Sequence, residues 1–398
     1  AIINPNRQDN PSGFKYLCAA GVVFLLLVGL NRELKKIGYN VPELLFFLDL
    51  VAIATVADVV PLIGLNRAYV KTGLKIIEKR SNVGLSTLLD VASINGQIRS
   101  NHLGFALAPR INAGGRLGSP KLGAELLIEK DISKARIIAK TLDSLNEDRK
   151  VIETEMLEEA LNLLEIRKTH ENLIWVAQKD WNPGLTGILA SRLREKFGKP
   201  SLVIAIDEND VGRGSGRSIT NLNLGAAVAQ LSEEKFIIQG GGHAQAAGIT
   251  LKKDQIEVAM KRLSEILSNQ MQINEHPPIL NITSLISVNA ITVELIDKIE
   301  TAGPFGPGAP PPLFVLANCQ IKWFKVVGDK HLRFYISDEN HRTIQSIFFH
   351  GFNTEAGEFL FQNQTARFHF AGQLEINDWS GQKTPNFVIK DISLATKD

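Results

Sequence analysis

The sequence predicts a mixed α/β chain that ends in a β-barrel, and three observations carry the prediction. Residues 1–130 and 170–270 read as helical and strand-like segments in alternation, the pattern of doubly wound α/β layers. Residues 131–169 contain no Gly or Pro and repeat apolar side chains near helical spacing, from Ile137 and Ile138 through Leu142 to Leu164 and Ile166, which predicts one long helix. From Leu313 to Asp398 the chain alternates like β and holds eleven of its 19 Phe and two of its four Trp. A small antiparallel barrel fits that composition, with aromatics either filling its core or exposed for stacking on single-stranded bases.

Taken in order, Pro11-Ser-Gly13 is a turn and Tyr16 to Ile37 a helix ending at Gly38. Its apolar run, Leu17 to Leu30, is shorter than the roughly 20 residues a spanning helix requires. It reads as a buried helix, and no membrane segment or secretory leader is expected. The run Asp49 to Leu62 is apolar except for Asp49, Thr55 and Asp58, and a carboxylate in apolar surroundings needs a partner. Asp49 reads as the N-cap of a helix. Asp58 comes half a turn out of phase with it, just before Val59-Val-Pro61, where a helix stops. It reads either as a metal ligand or as a buried Asp held by backbone or Arg. Helices are expected from Asn66 to Lys79, Ser86 to Ala92 and Lys121 to Ile128, so residues 1–130 form part of a doubly wound domain.

After the long connector helix, Leu173 to Ala177 and Ser201 to Ile206 read as strands and Gly212 to Arg217 as a glycine-rich loop. A helix over Leu222 to Leu231, the Gly240–Gly242 run, a strand over Ala246 to Leu251 and a helix over Gln255 to Leu267 complete a second α/β domain, 170–270. Residues 271–312 read as a linker, with Pro277, Pro278 and a cluster from Pro304 to Pro312. The barrel occupies 313–398.

With 398 residues, 44% hydrophobic and 22% charged, the chain has room for two to four ordinary globular domains. A net charge of +2 gives no overall basic field, so any nucleic-acid binding has to come from local patches. The two cysteines, Cys18 and Cys319, lie far apart in sequence, which suggests no disulfide framework and a reducing cytoplasm.

Five segments carry a family resemblance. Asp49-Leu-Val-Ala-Ile-Ala-Thr-Val-Ala-Asp-Val-Val-Pro-Leu62 resembles the fourth motif of the DHH phosphoesterase superfamily, in the form found in RecJ single-stranded-DNA exonucleases. Phe105-Ala-Leu-Ala-Pro-Arg-Ile-Asn-Ala-Gly-Gly-Arg-Leu117 resembles the PRINAxGRL segment of that family. Gly214-Ser-Gly-Arg-Ser218 and Gly241-Gly-His-Ala-Gln-Ala-Ala-Gly248 resemble the two signatures of the DHH-associated domain. Pro304-Phe-Gly-Pro-Gly308 resembles the entry to the last domain. The resemblance implies an OB-fold for the barrel and a DHH-associated domain for 170–270. It also implies 5′-to-3′ hydrolysis of single-stranded DNA in recombination and repair, with two divalent ions, Mn2+ or Mg2+, activating a water. Single-stranded DNA is the implied partner, with a single-stranded-DNA-binding protein and a helicase beside it.

Carried over residue by residue, the resemblance makes Asp58 a metal ligand and His243 a catalytic residue. Arg110, Asn112, Arg116, Ser215, Arg217, Gly241 and Gly242 become phosphate or DNA contacts, with Arg110, Ser215 and Arg217 at or near the 5′ end. The residue types suit these roles. Arginine grips phosphate bidentately, glycine lets backbone approach a ligand, and a hydroxyl beside backbone N–H groups completes an anion site. For any single Arg or His a structural role is the alternative. The upstream acidic and DHH motifs are absent, and no two of the eight histidines are adjacent. The chain therefore reads as lacking an N-terminal portion that carries most metal ligands, and it is expected to be inactive alone. Asn182 stands where the family often has His, and Ala309 where Asn is usual. The alternatives are a non-catalytic single-stranded-nucleic-acid-binding relative and a DHH phosphoesterase acting on short oligonucleotides.

Overall fold

The computed structural model describes residues 2–167, 172–273, 279–328, 330–352, 354–377 and 382–395. Lys168 and Thr169 at the end of the connector, Pro277, Pro278 and Trp379 lie outside the described residues. In chain order come α1 (Ala19–Lys36), α2 (Leu48–Ala57), α3 (Gly64–Glu78), α4 (Val83–Val91), α5 (Ala108–Leu117), α6 (Leu122–Ile128) and α7 (Ile132–Arg167). Next are β1 (Ile174–Lys179), α8 (Thr186–Phe197), β2 (Ser201–Ile206), β3 (Val211–Arg217), α9 (Leu224–Glu233), β4 (Gln239–His243), β5 (Ala246–Lys252) and α10 (Ile256–Ile273). Last are β6 (Ser284–Leu285), α11 (Val293–Thr301), β7 (Phe314–Val327), β8 (His331–Ser337), β9 (Thr343–Phe348), α12 (Glu355–Gln362), β10 (Phe368–Asn377) and β11 (Thr384–Leu394). The class is mixed α/β, as expected. The chain forms two compact units.

One unit comprises Arg80–Gly96 and Phe105–Pro277. Its axis is α7, 36 residues long. Near its start, Ala135, Ala139 and Leu142 are fully buried where α4, α5 and α6 pack on it. Near its end, Met156 and Ala160 join a core with Leu185, Leu189 and Val203. The sheet has the order β1-β2-β3-β5-β4, parallel only between β1 and β2. Strand β2 is buried on both faces. Val203 and Ala205 pack toward α8, while Leu202, Ile204 and Ile206 pack toward residues of α9 and α10. That accounts for its continuous apolar sequence.

The other unit comprises Ala1–Lys79, Gln97–Gly104 and Pro278–Asp398. Its C-terminal part is a closed five-stranded barrel in the order β7-β8-β9-β11-β10, with β10 returning to β7. Phe334, Phe368, Phe370 and Phe387 fill it, all fully buried. The strand pairs are antiparallel except β11 with β9, a departure from the purely antiparallel barrel expected. The closure is that of an OB-type barrel.

Several local expectations change. No strand occurs among the described residues of 1–130, so that stretch contributes helices alone. Helix α1 is only half buried: Phe24 is covered, but Val23, Leu26 and Leu30 are each about half exposed, at 49–53%. Asp49 is not the N-cap of α2. It is the second helical residue, behind a 3-10 turn over Leu45–Phe47, and its buried carboxylate accepts from Leu50 N at 2.6 Å. The segment around Arg110 is helix α5, led in by a π-helical stretch, His102–Leu107. Residues 212–217 are strand β3, not a loop, because Gly212, Gly214 and Gly216 recur with the period of a strand. A Cβ on any of them would press on Ile204, Ile249 or Leu224. The Gly240–Gly242 run is likewise inside strand β4. Within 271–312, read as linker, stand β6, paired in parallel with β7, and α11, capped by Thr292.

Candidate functional site

The alternation along β3, β5 and β4 sends Gly212, Gly214, Gly216, Ala247, Ile249 and Gly240 to the core side and leaves the other face open. On that open face the strand register aligns three rows. Arg213 stands with Thr250 and Gln239, Ser215 with Gly248 and Gly241, and Arg217 with Ala246 and His243. The middle row is almost bare. A Cβ at Gly241 would meet nothing within 4 Å, and one at Gly248 only Gly214 O at 3.8 Å. Neither glycine has a positive φ. Packing and backbone conformation therefore do not require glycine at these two positions. What their absence of side chain leaves is a shelf of open backbone. Gly242 differs: a Cβ there would run into Ala246 O at 2.3 Å, so β5 explains it.

The start of α8 borders this shelf. Leu185 precedes the helix and offers no side-chain cap, leaving a positive helix end. Thr186 Oγ1 lies 3.0 Å from Ser215 Oγ and 2.9 Å from Pro183 O. The Arg217 guanidinium lies over Gly187, where an added Cβ would stand 2.8 Å from Nη2, and its Nη1 donates to Gly216 O at 2.9 Å. Arg116 reaches the same turn from α5, its Nη1 donating to Gly184 O at 2.6 Å. Among the described residues neither Arg116 nor Arg217 has a carboxylate partner. Burial first, then the charges of Arg149 and Arg217, hold Arg116 below the usual arginine range, with Glu153 opposing. Burial and then Arg194 do the same to Arg217. Partly buried guanidiniums without a carboxylate partner have the chemistry that suits an anion.

The structure thus brings Arg116, Ser215, Arg217, Gly241 and His243 to one region of this unit. His243 is exposed at the end of β4, its Nδ1 accepting from Gln245 N at 3.3 Å. Arg110 and Asn112 sit on the same helix as Arg116 but are placed differently. Arg110 is held by Asp143 at 2.8 Å and donates to Ala106 O, while Asn112 is exposed. Gly114 of α5 serves packing: a Cβ there would stand 3.1 Å from Leu142 of α7. Asn182, one of the two departures, accepts from Gly184 N at 2.8 Å and so shapes the turn into α8. Thr186 and Gly248 were not singled out from sequence. The period-2 glycines of β3 were the signal that would have placed Ser215 and Arg217 on one face, and Gly248 opposite Ser215.

Asp58 belongs to the other unit. It ends α2, is exposed, and its N donates to Ala54 O at 3.0 Å. Val59 beside it has φ 55°, a conformation that β-branched residues rarely adopt and that concentrates at functional sites. One carboxylate is not a metal centre, and among the described residues no group of three candidate ligands could hold an ion. Ala309, the second departure, exchanges backbone hydrogen bonds with Gly306. Cys18 and Cys319 are buried free thiols. Among the described residues no helix is long and apolar enough to cross a membrane.

On the barrel, the outer face of β7 and β8 carries Trp323 and Tyr335, cross-strand partners with ring centroids 6.0 Å apart. They are 46% and 37% exposed. Lys325 and Arg333 form the next outward pair in register.

Comparison with known proteins defines the class first. Residues 170–269 match the DHHA1 domain family and residues 282–391 the RecJ OB domain family. Whole relatives narrow it. The chain is 33% identical over 99% of its length to the single-stranded-DNA-specific exonuclease RecJ of Bacillus subtilis, spanning 49% of that protein. It is 32% identical over 98% of its length to the Escherichia coli RecJ, spanning 70% of it. Its fold superposes with a TM-score of 0.77, at 27% identity, on the RecJ of Thermus thermophilus solved with Mn2+, covering 99% of this chain and 55% of that one. A Mg2+ complex of the same protein gives 0.76. The chain belongs to the RecJ family. It spans about half the length of the Bacillus relative.

Proposed function

We propose that this chain grips the 5′ end of single-stranded DNA for metal-dependent 5′-to-3′ exonucleolytic hydrolysis. The observation that carries the reading is the bare row Gly248–Gly241 beside Ser215, next to a row with Arg217 at one end and the exposed His243 at the other. Arg116, Arg217, the Ser215 and Thr186 hydroxyls and the start of α8 take the 5′-terminal phosphate, and the shelf takes the backbone that follows. His243 donates to a phosphate oxygen at the end of the neighbouring row that faces away from Arg217. Arg110 already has its charge paired with Asp143 and its Nη1 on Ala106 O, so it ranks behind Arg116. Trp323 and Tyr335 of the barrel stack on bases, which selects unpaired strands.

The described residues do not assemble a metal site, so no chemical step through a metal is assigned to them. In this reading Asp58 is the one ligand the chain offers to Mn2+ or Mg2+, and the others lie in the part of the longer relatives that it does not span. The cytoplasm, and a single-stranded-DNA-binding protein with a helicase, are the expected setting.

The test is digestion of 5′-labelled single-stranded DNA with Mn2+ by this chain and by a protein of the full length of its relatives. The chain is expected to bind but not cut, and the longer protein to release nucleotides from the 5′ end. If the longer protein binds without cutting, a non-catalytic binding function replaces the nuclease.

A further inference from the structure

Helix α8 enters the site through the turn Asp180-Trp-Asn-Pro-Gly-Leu185, and the polar groups of the site hang on that turn. Arg116 Nη1 donates to Gly184 O at 2.6 Å. Thr186 Oγ1 lies 2.9 Å from Pro183 O and 3.0 Å from Ser215 Oγ. A shift of the turn therefore moves a guanidinium and a pair of hydroxyls together. Asn182 shapes the inside of the turn by accepting from Gly184 N, but both groups belong to the turn. Their bond does not tie it to the rest of the fold.

Glu159 of α7 supplies that tie. Trp181 is 7% exposed and belongs to the core that holds Met156, Ala160, Leu185 and Leu189. Leu117, the chain neighbour of Arg116, packs against the same core. A buried indole N–H needs an acceptor, and Glu159 Oε2 accepts from Trp181 Nε1 at 2.7 Å. The other oxygen, Oε1, accepts from Gln178 Nε2 at 2.7 Å. Gln178 lies near the end of β1, and Asp180, with φ 63°, stands between the two donors in sequence. One carboxylate thus binds the end of the strand and the start of the turn to the long helix. Gln178 and Trp181 are neutral donors, so neither calls for a negative charge. Two donors do call for two acceptor oxygens, which a carboxylate offers and an amide does not.

We propose that Glu159 is a positioning residue for the anion site: by holding Trp181 and Gln178 together, it sets the turn to which Arg116 and Thr186 are bonded. It needs no contact with the ligand. It acts through Trp181 on the turn, and through the turn on Arg116 and on the Thr186–Ser215 pair. The inference rests on the 5′-phosphate reading given above and adds the source of that grip's rigidity. It also divides the binding energy. Contacts to a terminal phosphate depend on the turn, whereas the shelf, built by β3, β5 and β4, does not.

The experiment is competition for the full chain against a fluorescent single-stranded oligothymidylate, using dithymidylate with and without a 5′-phosphate as competitors. The wild-type chain is expected to prefer the phosphorylated dinucleotide about tenfold or more, the scale of a charged hydrogen bond. Glu159→Gln is nearly isosteric but sets an amide NH2 against one of the two donors, and is expected to lower that preference about fivefold. Trp181→Phe keeps an aromatic ring in the core, removes the N–H, and is expected to lower it similarly. In the double variant the amide meets only one donor, so the two losses should not add. Affinity for the unphosphorylated dinucleotide should hold in all three. A merely structural role predicts equal losses for both competitors, or a lowered melting temperature at unchanged preference. Either result in Trp181→Phe, or additive losses in the double variant, would overturn the assignment while leaving the 5′-phosphate reading intact. A wild-type chain that does not prefer the phosphorylated dinucleotide would overturn that reading, and this inference with it.

Discussion

The open face of β3–β5–β4 and the outer face of β7–β8 are both strand surfaces with outward cations, yet they are furnished in opposite ways. On the first, the row between Ser215 and the sheet edge is emptied by Gly248 and Gly241. On the second, the corresponding cross-strand position is filled by Trp323 and Tyr335. A bare row admits a sugar–phosphate backbone against main chain; a row of rings offers flat faces to bases. The difference teaches that, in the proposed function, the first face is suited to charge and the second to stacked surface. The two contributions separate experimentally because phosphate contacts depend on salt and base stacking does not.

Refilling the bare row gives the largest expected effect. Gly248→Val puts a branched side chain into open space on a strand, where Val is favoured, so the fold and melting temperature should hold. Binding of 5′-phosphorylated single-stranded DNA should fall about a hundredfold, roughly 2.7 kcal/mol. Titration beside a thermal melt reads both quantities. Retained affinity in the valine variant would mean the shelf carries no ligand.

Emptying the aromatic row comes next. Trp323→Ala should cost about 1–3 kcal/mol in binding of a long single strand, the range for loss of one base stack. It should leave the slope of affinity against salt unchanged. A changed slope would assign the barrel to phosphates and dissolve the contrast.

How far each face was legible beforehand follows from periodicity. The barrel strands announced themselves because Lys322 to Val327 and Leu332 to Ile336 alternate in hydropathy, and β2 because Ser201 to Ile206 is apolar throughout. Strand β3 was hidden because Gly212, Gly214 and Gly216 contribute no hydropathy to its inner face; neighbours from β2, β5 and α9 fill it instead. Helix α5 was hidden for a related reason, since Gly114 and Gly115 are poor helix formers although Gly114 lets α5 approach α7. The motif resemblance identified Ser215, Arg217 and His243 without showing that strand register aligns Arg217 with His243. It gave no hint of Thr186, whose place beside Ser215 depends on how α8 meets the sheet. Asp49 misled because a cap and a second helical residue share the same sequence neighbourhood, and only the preceding 3-10 turn separates them.

The smallest effect tests how far the charged face extends. Arg213 heads the third row, opposite Thr250 and beyond the bare one, and is exposed. An exposed cation at that distance from the start of α8 acts by screened attraction rather than by a fixed bidentate grip. Arg213→Ala is therefore expected to weaken strand binding about two- to threefold near 0.05 M salt, with the deficit vanishing by about 0.3 M, where the Debye length shrinks below the span of a nucleotide. Affinity for the 5′-phosphorylated dinucleotide should not change. A deficit that persists at high salt would place Arg213 in direct contact with phosphate and lengthen the shelf by one row. Its absence even at low salt would end the strand's path at the Ser215–Gly248–Gly241 row.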